Sequence, residues 1–236
     1  MTDQELASQW DADHHLAAIT SLASGALVVL GTALVFTVGI GPVEALIADR
    51  TVHPFEVTMV GGLLLIVDVA LLVFVVALAH AFTQGRSFGL TVTTAVATLA
   101  TAAAATVHLI WVYLASSPDV DAPAQVTQFA TWLAVNLWML PVFGLLVGAT
   151  LLALALALRH SPIRFARRLG TASAVIGGGL VVLAPFTGVG PDQPAFVAVA
   201  AILLATGGIS ALLLVALVRL GLLLRSARRR EPVPIT

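Results

Sequence analysis

Six runs of 18 to 30 residues, each almost free of charge, divide this chain: residues 16–40, 57–82, 88–115, 129–158, 169–186 and 195–224. An α-helix rises about 1.5 Å per residue and the hydrocarbon layer of a bilayer is ~30 Å thick, so ~20 apolar residues are enough to cross it. The pieces between the runs never exceed 16 residues, too few to fold a domain of their own. The sequence therefore predicts an all-α polytopic membrane protein: a tail over 1–15, a bundle of six transmembrane helices over 16–224, and a basic tail over 225–236. With 59% hydrophobic and 10% charged residues, a soluble globule is excluded. Any chemistry has to lie within the bilayer or at its surfaces.

Orientation follows from arginine, because loops that stay in the cytoplasm keep an excess of basic residues. With six spans, Arg86, Arg159, Arg164, Arg167, Arg168, Arg219, Arg225, Arg228, Arg229 and Arg230 fall on or near the face that holds both termini, and Arg50 alone falls on the other. Both termini are expected in the cytoplasm. The outer face is acidic, with Glu44, Asp49, Glu56, Asp119, Asp121 and Asp192, and Trp111, Tyr113 and Trp132 are placed for an outer aromatic belt,. The acidic residues ahead of the first run leave no basic n-region, so that run is expected to remain as a span rather than be cleaved. All eleven basic residues are arginine, a bias that suggests a GC-rich prokaryotic genome and hence a prokaryotic inner membrane.

Composition also removes chemistries. Cysteine is absent, which excludes disulfides, thiolate metal sites, iron–sulfur clusters and cysteine nucleophiles. A net charge of −1 provides no field for nucleic acid. Haem ligated by two histidines needs both at one depth, but His80 lies at the cytoplasmic end of span two and His108 in the outer half of span three. His53 and Glu56 make no more than two loop ligands, so neither metal nor cofactor is expected. Gly208-Ile209-Ser210-Ala211 looks like the serine motif of rhomboid-type intramembrane proteases, yet no histidine follows it,.

Small residues at fourfold spacing predict where helices touch. Gly144 and Gly148 form a GxxxG pair in span four; Ser21, Gly25, Thr32 and Gly39 line span one; Ala201, Ala205 and Gly208 line span six. Such faces let backbones approach closely in lipid, and internal packing is favoured over dimerisation, although a homo-oligomer or protein partner stays open. Thr2 and Glu5 have capping-box spacing, so residues 2–12 are read as a short interfacial helix.

The run Leu154-Ala155-Leu156-Ala157-Leu158-Arg159-His160-Ser161-Pro162-Ile163-Arg164, followed by Arg167-Arg168-Leu169-Gly170 and a Gly-rich span, resembles the late helix-loop-helix of an uncharacterised family of small bacterial six-span membrane proteins, a domain of unknown function. The resemblance covers about a quarter of the chain. It implies the six-span topology and no activity.

Asp68 is the one carboxylate inside the spans, eleven residues past Val57 and near mid-membrane, where insertion scales charge an ionised carboxylate about 2.5–3.5 kcal/mol. Span three carries Thr91, Thr94, Thr98, Thr101 and His108 within about 100° of arc, a stripe expected to face the bundle interior. His108 and Asn136 each lie seven residues from the outer end of their spans, about 10 Å deep, with Asp68 some 5–6 Å deeper. Asp68, His108, Asn136, Thr98 and Thr101 thus form an expected polar seam in the outer half, opening outward. The best functional reading is a proton- or small-solute-handling transport protein. The alternatives are a non-catalytic scaffold or accessory subunit, whose seam only specifies packing, and, third, an enzyme. Membrane lipid is the expected partner, with anionic headgroups at the cytoplasmic arginines.

Overall fold

The computed structural model describes residues 12–38, 54–83, 87–116, 123–187 and 207–228. They form six helices: α1 (Ala12–Val38), α2 (Pro54–Phe82), α3 (Phe88–Ser116), α4 (Pro123–Leu158), α5 (Arg164–Leu183) and α6 (Ile209–Arg228). A 3₁₀ turn, Ala184–Thr187, extends α5. Each helix is long and apolar enough to cross a membrane, and there is no strand among the described residues. The segments 1–11, including the expected interfacial helix, and 188–206, with Ala201 and Ala205, lie outside the described residues.

Consecutive helices pack against one another from α1 to α5, and α6 lies against both α1 and α5, which closes the circuit. Chain reversals set which ends meet. The start of α1 touches the end of α2 through a hydrogen bond from His14 Nε2–H to the Thr83 carbonyl, 2.9 Å. That bond satisfies a carbonyl just past the helix end, where no intrahelical donor is available. The His14 and His80 rings stack at the same place, centroids 5.6 Å apart. Ser87 opens α3 by accepting the Leu90 backbone N–H at its side-chain oxygen, 3.1 Å, an ordinary N-cap.

The densest core lies toward the end that holds Arg159, Arg164, Arg167 and Arg168, here called the basic end. Leu78, Leu158, Ile163 and Leu220 are among its fully buried side chains, and Phe82 meets Phe165 edge to face with centroids 6.1 Å apart. The exterior is apolar as well: Leu16, Ile66, Leu99, Val175, Val182 and Val218 are exposed. A soluble monomer rarely shows so continuous an apolar surface; lipid accepts it.

Several helix ends differ from the sequence reading, most at the starts of α5 and α4. α5 begins at Arg164 rather than 169, because the arginines that look like loop form its first turns. Arg167 Nη1 donates to the Ser161 carbonyl, 2.8 Å, and the Ser161 hydroxyl accepts the Ile163 N–H, 3.3 Å. α4 begins at Pro123 and continues through Pro141, so the proline, which lacks one N–H, does not divide it.

Candidate functional site

Glycines decide how closely the helices stand. A Cβ on Gly148 would come 2.8 Å from the Gly177 carbonyl, and one on Gly177 2.7 Å from the Gly148 carbonyl, so the α4 and α5 backbones touch. Gly144 faces Ala184 in the same way, Gly25 faces Leu217 and Phe74, and Gly208 faces Ile176. Gly25, Gly144, Gly148 and Gly208 of the small-residue faces read from the sequence stand at helix contacts; Gly39 lies outside the described residues. Gly61 brings α2 against Val112 and the His108 carbonyl, which fixes the register of α2 on α3.

That register joins Asp68 of α2 to His108 of α3. Asp68 Oδ2 and His108 Nδ1 lie 2.5 Å apart, with 12% and 18% of the side chains exposed. Their Cα atoms are at different heights, but Cα–Cβ bonds tilt toward the N-terminus of their own helix. In antiparallel α2 and α3 the aspartate therefore leans toward the acidic end, the histidine toward the basic end, and the gap closes without a bridging water. Two arrangements of one proton fit the contact: Nδ1–H donating to a carboxylate, or a carboxylic acid donating to Nδ1.

The threonine stripe does not stay together, and it does not face the interior as expected. Thr91, Thr94 and Thr98 are exposed, and their hydroxyls donate to the carbonyls four residues back, 2.9 Å for Thr94 to Leu90 and 2.8 Å for Thr98 to Thr94. Thr94 and Thr98 line an open groove of about 600 Å³ between α1, α2 and α3, with Asp13 and His80 at its basic end. The buried face of α3 is instead Thr93, Ala97, Ala100 and Ala104. Small apolar side chains let α3 approach its neighbours; a threonine whose proton is already used on its own helix has no need of burial. Thr101 alone of the stripe threonines lines the pocket beside Asp68. Asn136 lies on α4, and its side chain is outside the described residues.

That pocket, about 80 Å³, is bounded by α2 to α6. Four of its 21 lining residues are polar: Asp68, Thr101, Thr150 and Ser173. Thr150 gives its proton to the Leu146 carbonyl, 2.8 Å. Ser173 is completely buried, and its hydroxyl has no hydrogen-bond partner among the described residues. From Asp68 the lining continues to Leu78, Leu154 and Leu169, that is, into the basic half of the bundle. Of the expected seam, Asp68 and His108 are thus in direct contact, and a largely apolar pocket runs from Asp68 toward the basic end. Sequence reading missed Ser173 because a lone serine in a Gly-rich span carries no signal. It missed the contact of His14 with α2 too, although equal distances from a common membrane face would have shown it.

No group of three or more metal-ligating side chains occurs among the described residues. The chain matches no protein-family model, no curated protein and no solved structure.

Proposed function

We propose that this chain is a multi-pass protein of a prokaryotic inner membrane, both termini cytoplasmic, that handles a proton at Asp68 and His108 and couples it to movement of a small solute. The observation that carries the reading is the direct contact of the two side chains, with Asp68 in the wall of a pocket between α2 and α6. Asp68 is the only acidic residue in the six apolar runs, and an imidazole takes a proton on one nitrogen while releasing one from the other. His108 is therefore placed to relay a proton to and from Asp68. The arginine bias of one face supports the orientation, and the same arginines suit anionic headgroups.

A packing role, in a scaffold or accessory subunit, draws on the same contact, since each group satisfies the other. Infrared difference spectroscopy on protein in lipid separates the two. A carboxyl band that responds to bath pH, is missing in Asp68→Asn and shifts in His108→Gln is expected of a proton site. A band indifferent to bath pH marks a sealed packing pair and overturns the proposal.

A further inference from the structure

We infer that the groove between α1, α2 and α3 seats one phospholipid of the basic-end leaflet and selects a primary-amine headgroup, with the ammonium on Asp13 and the phosphate on His80. The inference rests on the six spans and is independent of the proton site. Its first support is the length of the groove. The walls come from Asp13 to Thr20 of α1, Leu72 to His80 of α2 and Leu90 to Thr98 of α3, each about 10–12 Å along its axis. All three begin at one end, because α1 and α3 start where α2 stops. Half of a ~30 Å hydrocarbon layer is ~15 Å, so the groove runs from the surface through most of one leaflet and stops at Leu72, one turn short of Asp68.

The lining selects hydrocarbon below the mouth. Leu16, Leu72, Val73, Val76 and Leu90 make most of the wall apolar, and Thr94 and Thr98 spend their protons on their own helix. The volume, about 600 Å³, is in the range of sites that hold whole organic molecules. Leu16, Val73, Thr94 and Thr98 are exposed, so the groove opens sideways. In a bilayer that side faces lipid, and an acyl chain enters without leaving the hydrocarbon layer.

The mouth selects the headgroup. Asp13 is exposed in the first turn of α1, and His80 stands opposite in the last turn of α2. The His80 ring is held there by stacking on His14, which is itself tied to the Thr83 carbonyl. An imidazole N–H donates to a phosphate oxygen, and a primary ammonium two carbons from that phosphate donates to the carboxylate. A quaternary ammonium has no N–H to donate. An anionic headgroup meets the like charge of Asp13, and no arginine among the described residues lines the groove to offset it. Arg164, Arg167 and Arg168 lie instead in the first turns of α5, where an anionic lipid is drawn.

Native mass spectrometry of the purified chain in detergent, titrated with phosphatidylethanolamine, phosphatidylcholine and phosphatidylglycerol of identical acyl chains, tests this. One phosphatidylethanolamine is expected to bind about fivefold tighter than phosphatidylcholine, the margin of a charge-assisted hydrogen bond at a half-open site. Asp13→Asn should bring the two lipids level. His80→Phe keeps a ring against His14 but has no N–H, and should weaken both about threefold while preserving their ratio. Thr94→Phe and Leu16→Trp fill the groove from opposite walls at exposed positions. Each should remove the tight site and leave phosphatidylglycerol, held at the arginines, unaffected. Equal affinity for the two lipids in the native chain, a preference that survives Asp13→Asn, or a tight site that survives both filling variants overturns the inference.

Discussion

Asp68 Oδ2 and His108 Nδ1 touch across α2 and α3 because antiparallel helices lean these side chains toward each other, so their stability effects are linked. Asp68→Asn keeps the shape and a hydrogen bond to the ring and should cost less than ~1 kcal/mol; Asp68→Leu strands the imidazole nitrogen and should cost about 1–3 kcal/mol. Thermal unfolding in detergent measures both. In the double variant Asp68→Leu, His108→Leu, the loss should be smaller than in Asp68→Leu alone, since no polar group is left unpaired.

Much of the architecture was legible before any coordinates. Runs of apolar residues fixed six helices, and depth arithmetic placed Asp68 and His108 within reach. Facing was harder. The Thr91–Thr98 stripe follows a helical period, but hydroxyls that bond their own backbone carry no information about which side is buried. The buried face of α3, through Ala97, Ala100 and Ala104, gives almost no periodic signal because alanine is equally common elsewhere in that helix. Helix starts at arginine, as in α5, are hidden for another reason: a basic first turn opposes the helix dipole, and its compensation by nearby carbonyls is visible only in three dimensions.

The back-bonded threonines supply a prediction that separates stripe from cavity. Thr94→Val and Thr98→Val should change stability by less than about 0.5 kcal/mol, as surface substitutions do, and should leave the Asp68 carboxyl band unmoved. Thr101→Val, beside Asp68 in the cavity wall, should move that band. A shift from Thr98→Val equal to that from Thr101→Val would return the stripe to the interior.

Orientation can be read directly, because the chain has no cysteine. A cysteine at Asp49 or Asp121 should react with a membrane-impermeant thiol reagent on intact cells. One at His160, exposed in the turn between α4 and α5, should react only after lysis. His160 is a better reporter than its neighbour Ser161, which is buried and whose hydroxyl holds the Ile163 N–H. Reaction at His160 from outside would invert the topology.

The orphan hydroxyl in α5 makes a stability prediction of its own. A buried hydroxyl without a partner pays for its lost hydration, about 1–3 kcal/mol, so Ser173→Ala should raise the unfolding temperature or leave it unchanged. A clear fall would mean that the serine is satisfied in solution, and would remove the unpaired group from the cavity.

The crossing of α4 and α5 at Gly148 and Gly177 carries the strongest expectation for a single atom. Each Cβ would meet the other helix's backbone below 3.0 Å, and a backbone cannot rotate aside as a flexible side chain can. Gly148→Ala and Gly177→Ala should each force the helices apart, at a cost of about 1–3 kcal/mol, and with them the wall that α4 and α5 give the cavity. Gly178, one residue on, has nothing within 4 Å of an added Cβ. There alanine relieves the conformational entropy of glycine in a helix, worth up to about 1 kcal/mol, so Gly178→Ala should be neutral or stabilising. Thermal unfolding of the three variants decides it: equal effects at 177 and 178 would show that these helices do not cross where the glycines lie.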